Sequence, residues 1–220
     1  MATPRKASVF IIESPRSDDL LTGRMEGRLL AESLRLDGIS QQYYLATDIE
    51  TFRGVVKYLE GVMTKQGKTI PIIHISAHGN ENGIAFTNGK TMKWTTLAEI
   101  LVNLNRRCNG KLVLCLSCCN GSYINSALVK TIEQMPFKAA VSAFGSPTWN
   151  DAAIAFVVLY HQYINKGVKI SNAVAIMNDA SATGACFMLD YARITQKSLV
   201  NYLHKEFRRK SSIISTSHDI

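Results

Sequence analysis

The chain has 220 residues, 46% of them hydrophobic and 19% charged, with a formal net charge of +8. That is the size and balance of one α/β domain around a single core, and it excludes a chain that is disordered throughout. No apolar run reaches the roughly 20 residues of a membrane span, and residues 1–6 lead into a strand rather than a signal-peptide core, so the expected location is the cytoplasm.

Residues 8–13 are an apolar run suited to a buried first strand. A polar loop over residues 14–22 leaves its carboxyl end. Arg16 in that loop, and Arg24 just beyond it, border whatever crevice opens there, or are ordinary surface arginines. Leu29, Leu30, Leu34 and Leu36 keep helical spacing over residues 26–36, and Asp37-Gly38 is a stop. Residues 42–46 read as a short second strand. A helix over residues 48–63 buries Phe52, Val55, Val56, Leu59 and Val62, and Gly67-Lys68 returns the chain to the sheet.

Two stretches then carry chemistry. Residues 70–79 form an apolar strand ending in His78-Gly79, and residues 111–117 form another, followed by Cys118-Cys119-Asn120-Gly121. Side by side in a parallel sheet, about 4.8 Å apart, their carboxyl ends open on one crevice. The spacing sets His78 facing Cys119. An imidazole takes the thiol proton or stabilises the thiolate, and a helix expected over residues 122–135 puts its N-terminus beside the sulfur. The backbone amides of Gly79 and Cys119 are the candidate oxyanion donors. Cys118, one residue back, points to the other face, and Cys115 reads as core. His74 shares the face of His78 but lies deeper, as a packed or hydrogen-bonded strand residue.

Between the two strands, Asn88-Gly89 separates short β-prone runs and predicts a hairpin that walls the groove. Glu81 beside it either orients His78 or is an exposed loop glutamate. A helix follows over residues 95–104. After the Cys119 strand come a fifth strand over residues 137–144, helices over 152–164 and 171–178, a last strand over 186–191, and a basic helix over 195–210. The domain is expected to span residues 1–210, with a loose Ser-rich tail over 211–220.

An apolar strand ending in His-Gly, followed by one ending in Ser117-Cys118-Cys119-Asn120-Gly121, resembles the caspase-like cysteine peptidases. The histidine lies 41 residues before the cysteine, against about 50 in the caspase signature, of which only the cysteine and final glycine agree. Leu116-Ser117-Cys118-Cys119 is closer to the Leu-Ser-Ala-Cys of the CHAT branch and departs from it only at Cys118. Residues 149–153, Phe156, Tyr160, Gly167 and Ala173-Val174 also look CHAT-like, so the resemblance covers roughly residues 70–180.

The resemblance implies a three-layer α/β sandwich with a mainly parallel sheet of about six strands flanked by helices. It implies that the loop after the fifth strand lines the specificity pocket, which makes Ser142, Trp149 and Asp151 candidates there. Asp151 suits a basic substrate residue, or caps the next helix; Arg16 suits an acidic one. It further implies a cysteine endopeptidase acting on a peptide or protein, with Cys119 as nucleophile and His78 as base and then acid. A bacterial anti-phage effector switched on by a partner, by self-association or by self-cleavage is the corresponding biological role.

This chemistry needs no cofactor and no metal. The five cysteines, at 108, 115, 118, 119 and 186, have no zinc-finger spacing, so reduced thiols are expected. Two other readings are an inactive interaction module on the same fold and a basic nucleic-acid binder. The charge is spread along the chain without a nucleic-acid-binding motif, which favours a solvated basic surface or a docking face for an acidic partner.

Overall fold

A computed structural model describes residues 3–64, 69–131, 134–181 and 187–216, with side chains as far as residue 205. In chain order the elements are β1 (Ala7–Ser14), α1 (Ser17–Thr22), α2 (Glu26–Leu36), β2 (Ser40–Leu45), α3 (Ile49–Thr64), β3 (Ile70–Asn80), the hairpin of β4 (Gly83–Ala85) and β5 (Thr91–Lys93), and α4 (Trp94–Arg107). Then come β6 (Val113–Ser117), a 3-10 helix (Gly121–Val129), β7 (Ala139–Ala143), α5 (Trp149–Tyr160) ending in a π turn (His161–Asn165), α6 (Ile170–Ala180), β8 (Phe187–Tyr191) and α7 (Ala192–Thr216).

The strands lie in the order β2-β1-β3-β6-β7-β8. All neighbours are parallel except β8, which runs antiparallel to β7. β1, β6 and β7 are buried at every position, as strands covered on both faces must be. One face packs Phe10, Ile12, Ile73, Ile75, Leu114 and Leu116 under α3, α4 and the 3-10 helix. The other packs Val9, Ile11, Ile72, Cys115 and Val141 under α2, α5 and α6. The result is the expected three-layer α/β sandwich.

From β1 the chain steps outward to β2, then crosses back to β3 on the other side of β1. The strand order therefore reverses between β1 and β3. In an open α/β sheet the carboxyl ends at such a point leave a crevice. The hairpin β4–β5 pairs with the extension of β3, with Gly79 opposite Ile84, and stands over that crevice as predicted.

The structure departs from expectation locally at three places, and at the first two the physical cause is visible. The loop over 14–22 contains α1, whose acidic first turn (Asp18, Asp19) suits a helix N-terminus. The helix expected over 122–135 is instead the 3-10 helix. Its buried residues Gly121, Ile124 and Ala127 recur every third position, which eclipses them on one edge of a three-residue turn. That edge lies tight on β6, where a Cβ at Gly121 would fall 3.1 Å from Leu116 Cβ. The last helix runs on to Thr216, past the Ser211 boundary expected for a loose tail. Gly67-Lys68, Cys186 and residues 217–220 lie outside the described residues.

Candidate active site

The β3–β6 ladder ends with Ser76 opposite Ser117. His78 and Cys119 each lie two residues further along their strands' direction, so they leave the sheet at the same level. The alternation that buries Ala77 and Cys118 in one core sends His78 and Cys119 to the opposite face. Among the cysteines whose surroundings are described, Cys108, Cys115 and Cys118 are buried, and Cys119 alone is partly exposed. Burial pushes the Cys108 thiol up to about 11 and the Cys115 thiol up to about 12, and raises that of Cys118 further.

The two strand ends are pressed together at Gly79. A Cβ there would fall 2.6 Å from the Cys119 carbonyl oxygen and 3.2 Å from Cys118 Cβ, so only glycine lets the histidine strand lie this close. Beyond Cys119 the backbone turns through Asn120, which takes a left-handed conformation with φ of 56°. Its N–H donates to the Gly145 carbonyl at 2.7 Å, joining the cysteine loop to the loop after β7.

His78 is held from two sides. Trp149 meets its ring edge to face, with centroids 5.0 Å apart at 81°. Asp19 Oδ2 lies 3.4 Å from Nε2. The Asp19 carboxylate is buried by α1 and is itself paired with Arg24 at 2.9 Å. Burial lowers the His78 pKa; the hydrogen bond to Asp19 opposes that shift, and Arg16 reinforces it. The net result is an imidazole biased towards its neutral, proton-accepting form.

On the β1 side of His78 opens a crevice of about 380 Å³, lined by Ser14, Arg16, His78, Gly79, Phe86 and Thr87 among others. Thr87 fastens its wall: its hydroxyl donates to the Pro15 carbonyl at 2.7 Å and its N–H to Ser14 Oγ at 3.1 Å. Arg16 therefore sits in the crevice that begins at the imidazole, with β3 between it and Cys119.

The other sequence candidates fall elsewhere. Ser142 is completely buried, on the Cys118 side of the sheet, where its Cβ lies against the position a Gly121 Cβ would take. The alternation of β7 turns it away from the crevice, so a substrate-lining role is corrected to a core position. Asp151 is in the first turn of α5: Thr148 is the N-cap, accepting from the Asp151 N–H at 3.2 Å and donating to Asp151 Oδ2 at 2.7 Å. Glu81 is exposed, and the carboxylate that meets His78 belongs to Asp19. Sequence reasoning missed Asp19 because it falls in a polar stretch of one-and-a-half turns with no apolar periodicity.

His74 is fully buried as expected. Its Nδ1 is 2.9 Å from the Tyr160 hydroxyl, its ring meets Phe156 at 4.6 Å, and its Nε2 lies 3.7 Å from Glu26. Among the described residues, no group of three or more His, Cys, Asp or Glu is placed to hold a metal ion.

The same architecture occurs in a solved structure, the secreted C11 cysteine protease iotapain from Bacteroides thetaiotaomicron. It superposes with a TM-score of 0.58 over 87% of this chain and 67% of that one, at 11% sequence identity. The fold is caspase-like. At such low identity the likeness concerns the path of the chain and the order of its strands. No protein-family profile and no curated protein match this sequence.

Proposed function

We propose that this chain is a cysteine endopeptidase of the caspase-like type, with Cys119 as nucleophile and His78 as general base and then general acid. One observation carries the reading. A partly exposed thiol and a neutral-biased imidazole leave neighbouring parallel strands at the same level and on the same face, beside a crevice.

In this mechanism His78 accepts the Cys119 proton as the sulfur attacks the scissile carbonyl carbon. The backbone N–H groups of Cys119 and Gly79 stabilise the oxyanion. The imidazolium then gives its proton to the leaving amine, and the thioester that remains is cleaved by water activated by the same imidazole. Asp19 positions the ring and stabilises its protonated state. Trp149 limits its rotation.

The Arg16 crevice favours an acidic side chain before the cut bond. Asp151 is drawn into the α5 cap with Thr148, which leaves Arg16 as the better specificity candidate. The CHAT-like residues suggest a bacterial effector that cuts a partner protein in anti-phage defence after activation by a partner or by self-association. A peptide-library digest with wild type and Cys119→Ala tests the reading. Cleavage after Asp or Glu that disappears in the variant supports it, and equal cleavage by both proteins refutes it.

A further inference from the structure

The edge of the sheet opposite the crevice carries a second feature. Where β6 and β7 begin and β8 ends, two cavities adjoin and share Lys111, Lys138 and Tyr191. One, of about 870 Å³, lies between α4 and α7; the other, of about 370 Å³, lies between the N-terminal segment and the start of α6. The larger is rimmed by Arg106, Lys111, Lys138 and Arg193, and the smaller adds Arg5 and Lys169. No Asp or Glu lines either cavity among the described residues. Lys111, Lys138 and Arg193 are exposed, and none forms an ion pair among the described residues.

The floor of the larger cavity is apolar. Ile194 is 65% exposed and Tyr191 40% exposed, the half-buried Val102 and Met135 lie beside them, and Phe137 is fully buried. An uncovered apolar floor inside a rim of unpaired cations is a poor match for water, because the rim charges are solvated while the floor is not. It also differs from a single-stranded nucleic-acid groove, which presents successive aromatic rings for base stacking. Here one exposed tyrosine ring adjoins aliphatic side chains.

We propose that this groove is a docking site for an acidic amphipathic peptide segment of a partner protein, with leucine-like side chains on the Ile194 floor and carboxylates on the Lys111, Lys138 and Arg193 rim. Charge complementarity sets the sign of the partner, and the floor sets its apolar content. The groove opens at the start of β6 and Cys119 lies two residues beyond its end, a separation of roughly 20 Å along the strand direction. A segment docked here leaves the Arg16 crevice open, so the site recruits a partner and is no part of the substrate cleft. The inference does not depend on the peptidase reading.

The test is fluorescence anisotropy of the full chain with three labelled probes: an acidic amphipathic peptide of Glu and Leu, polyglutamate of equal length, and a single-stranded thymidine oligonucleotide. The amphipathic peptide is expected to bind most tightly and to weaken as salt rises. The double variant Lys111→Glu, Lys138→Glu and the single variant Ile194→Asp should each lower its affinity about tenfold or more. All three positions are exposed, so unchanged thermal unfolding and unchanged thiol labelling at Cys119 will show that the fold is intact. Failure of the amphipathic peptide to bind, or binding indifferent to both variants, overturns the proposal. So does polyglutamate or the oligonucleotide binding as tightly as the amphipathic peptide, because the floor then contributes nothing.

Discussion

Asp19 and His78 meet in direct contact beside the crevice, with a carboxylate oxygen 3.4 Å from Nε2 and Arg24 clamped to the other carboxylate oxygen at 2.9 Å. Because α1 buries Asp19, this contact fixes the imidazole from the β1 side while Trp149 fixes it from the start of α5. A ring held on both sides loses little freedom when it accepts a proton, which is the condition for efficient general-base work.

The first prediction concerns pH. Asp19 raises the His78 pKa, whereas burial and Arg16 lower it. Asp19→Asn therefore shifts the acid limb of the activity profile to lower pH, and Arg16→Ala shifts it to higher pH. Opposite displacements in kcat/KM profiles confirm the arrangement; displacement in the same direction contradicts it. Asp19→Asn should also cost roughly ten- to hundredfold in kcat/KM through lost positioning.

The same shift bears on stability. His78 has a folded pKa below its ordinary value of 6.5. Its contribution is therefore fully present above about pH 6.5 and is lost as pH falls through the folded value, where the native ring resists the proton that the unfolded chain accepts. His78→Gln should flatten that part of the unfolding free-energy curve measured between pH 7 and pH 5.

Gly79→Ala places a methyl group 2.6 Å from the Cys119 carbonyl, against backbone that has no rotamer to yield. The strand ends must part. Denaturant unfolding should show a loss of about 1–3 kcal/mol. Peptide cleavage should fall much further than that loss explains, because the displaced groups are the proposed nucleophile and base.

Thiol chemistry separates the two adjacent cysteines. Burial raises the Cys118 pKa well above the usual thiol range, while Cys119 is partly exposed. Brief iodoacetamide treatment of the native protein should modify Cys119 and spare Cys108, Cys115 and Cys118, as mapped by peptide mass spectrometry. Cys118→Ala should retain that labelling.

Tyr160→Phe removes the hydroxyl that bonds His74 at 2.9 Å in the core. A loss of about 1–3 kcal/mol in stability is expected, with kcat unchanged. A selective loss of kcat would assign His74 a part in the chemistry and contradict its structural role.

Much of this arrangement was legible in the chain. Apolar runs that stop at His78-Gly79 and Cys118-Cys119 mark parallel strands and the edge at which they end, and Asn88-Gly89 marks the hairpin, because these signals are local. Side-chain direction along a strand is also local, which is why Cys119 could be distinguished from Cys118. Asp19 was hidden, since its burial depends on α1 folding back over the end of β3, a contact between residues 59 positions apart. Ser142 misled because its position near the end of β7 is legible while the face it takes depends on register with β6. The 3-10 helix escaped because a three-residue burial pattern over nine residues resembles an α-helical one until the close packing of Gly121 on Leu116 is seen.

The most direct measurement is mass-spectrometric mapping of the adduct formed with a peptidyl acyloxymethyl ketone bearing aspartate at its reactive end, on wild type and His78→Ala. A single adduct on Cys119, lost in the histidine variant, is the predicted result. Modification at another cysteine, or equal modification of Cys119 in both proteins, would contradict a thiol activated by that imidazole.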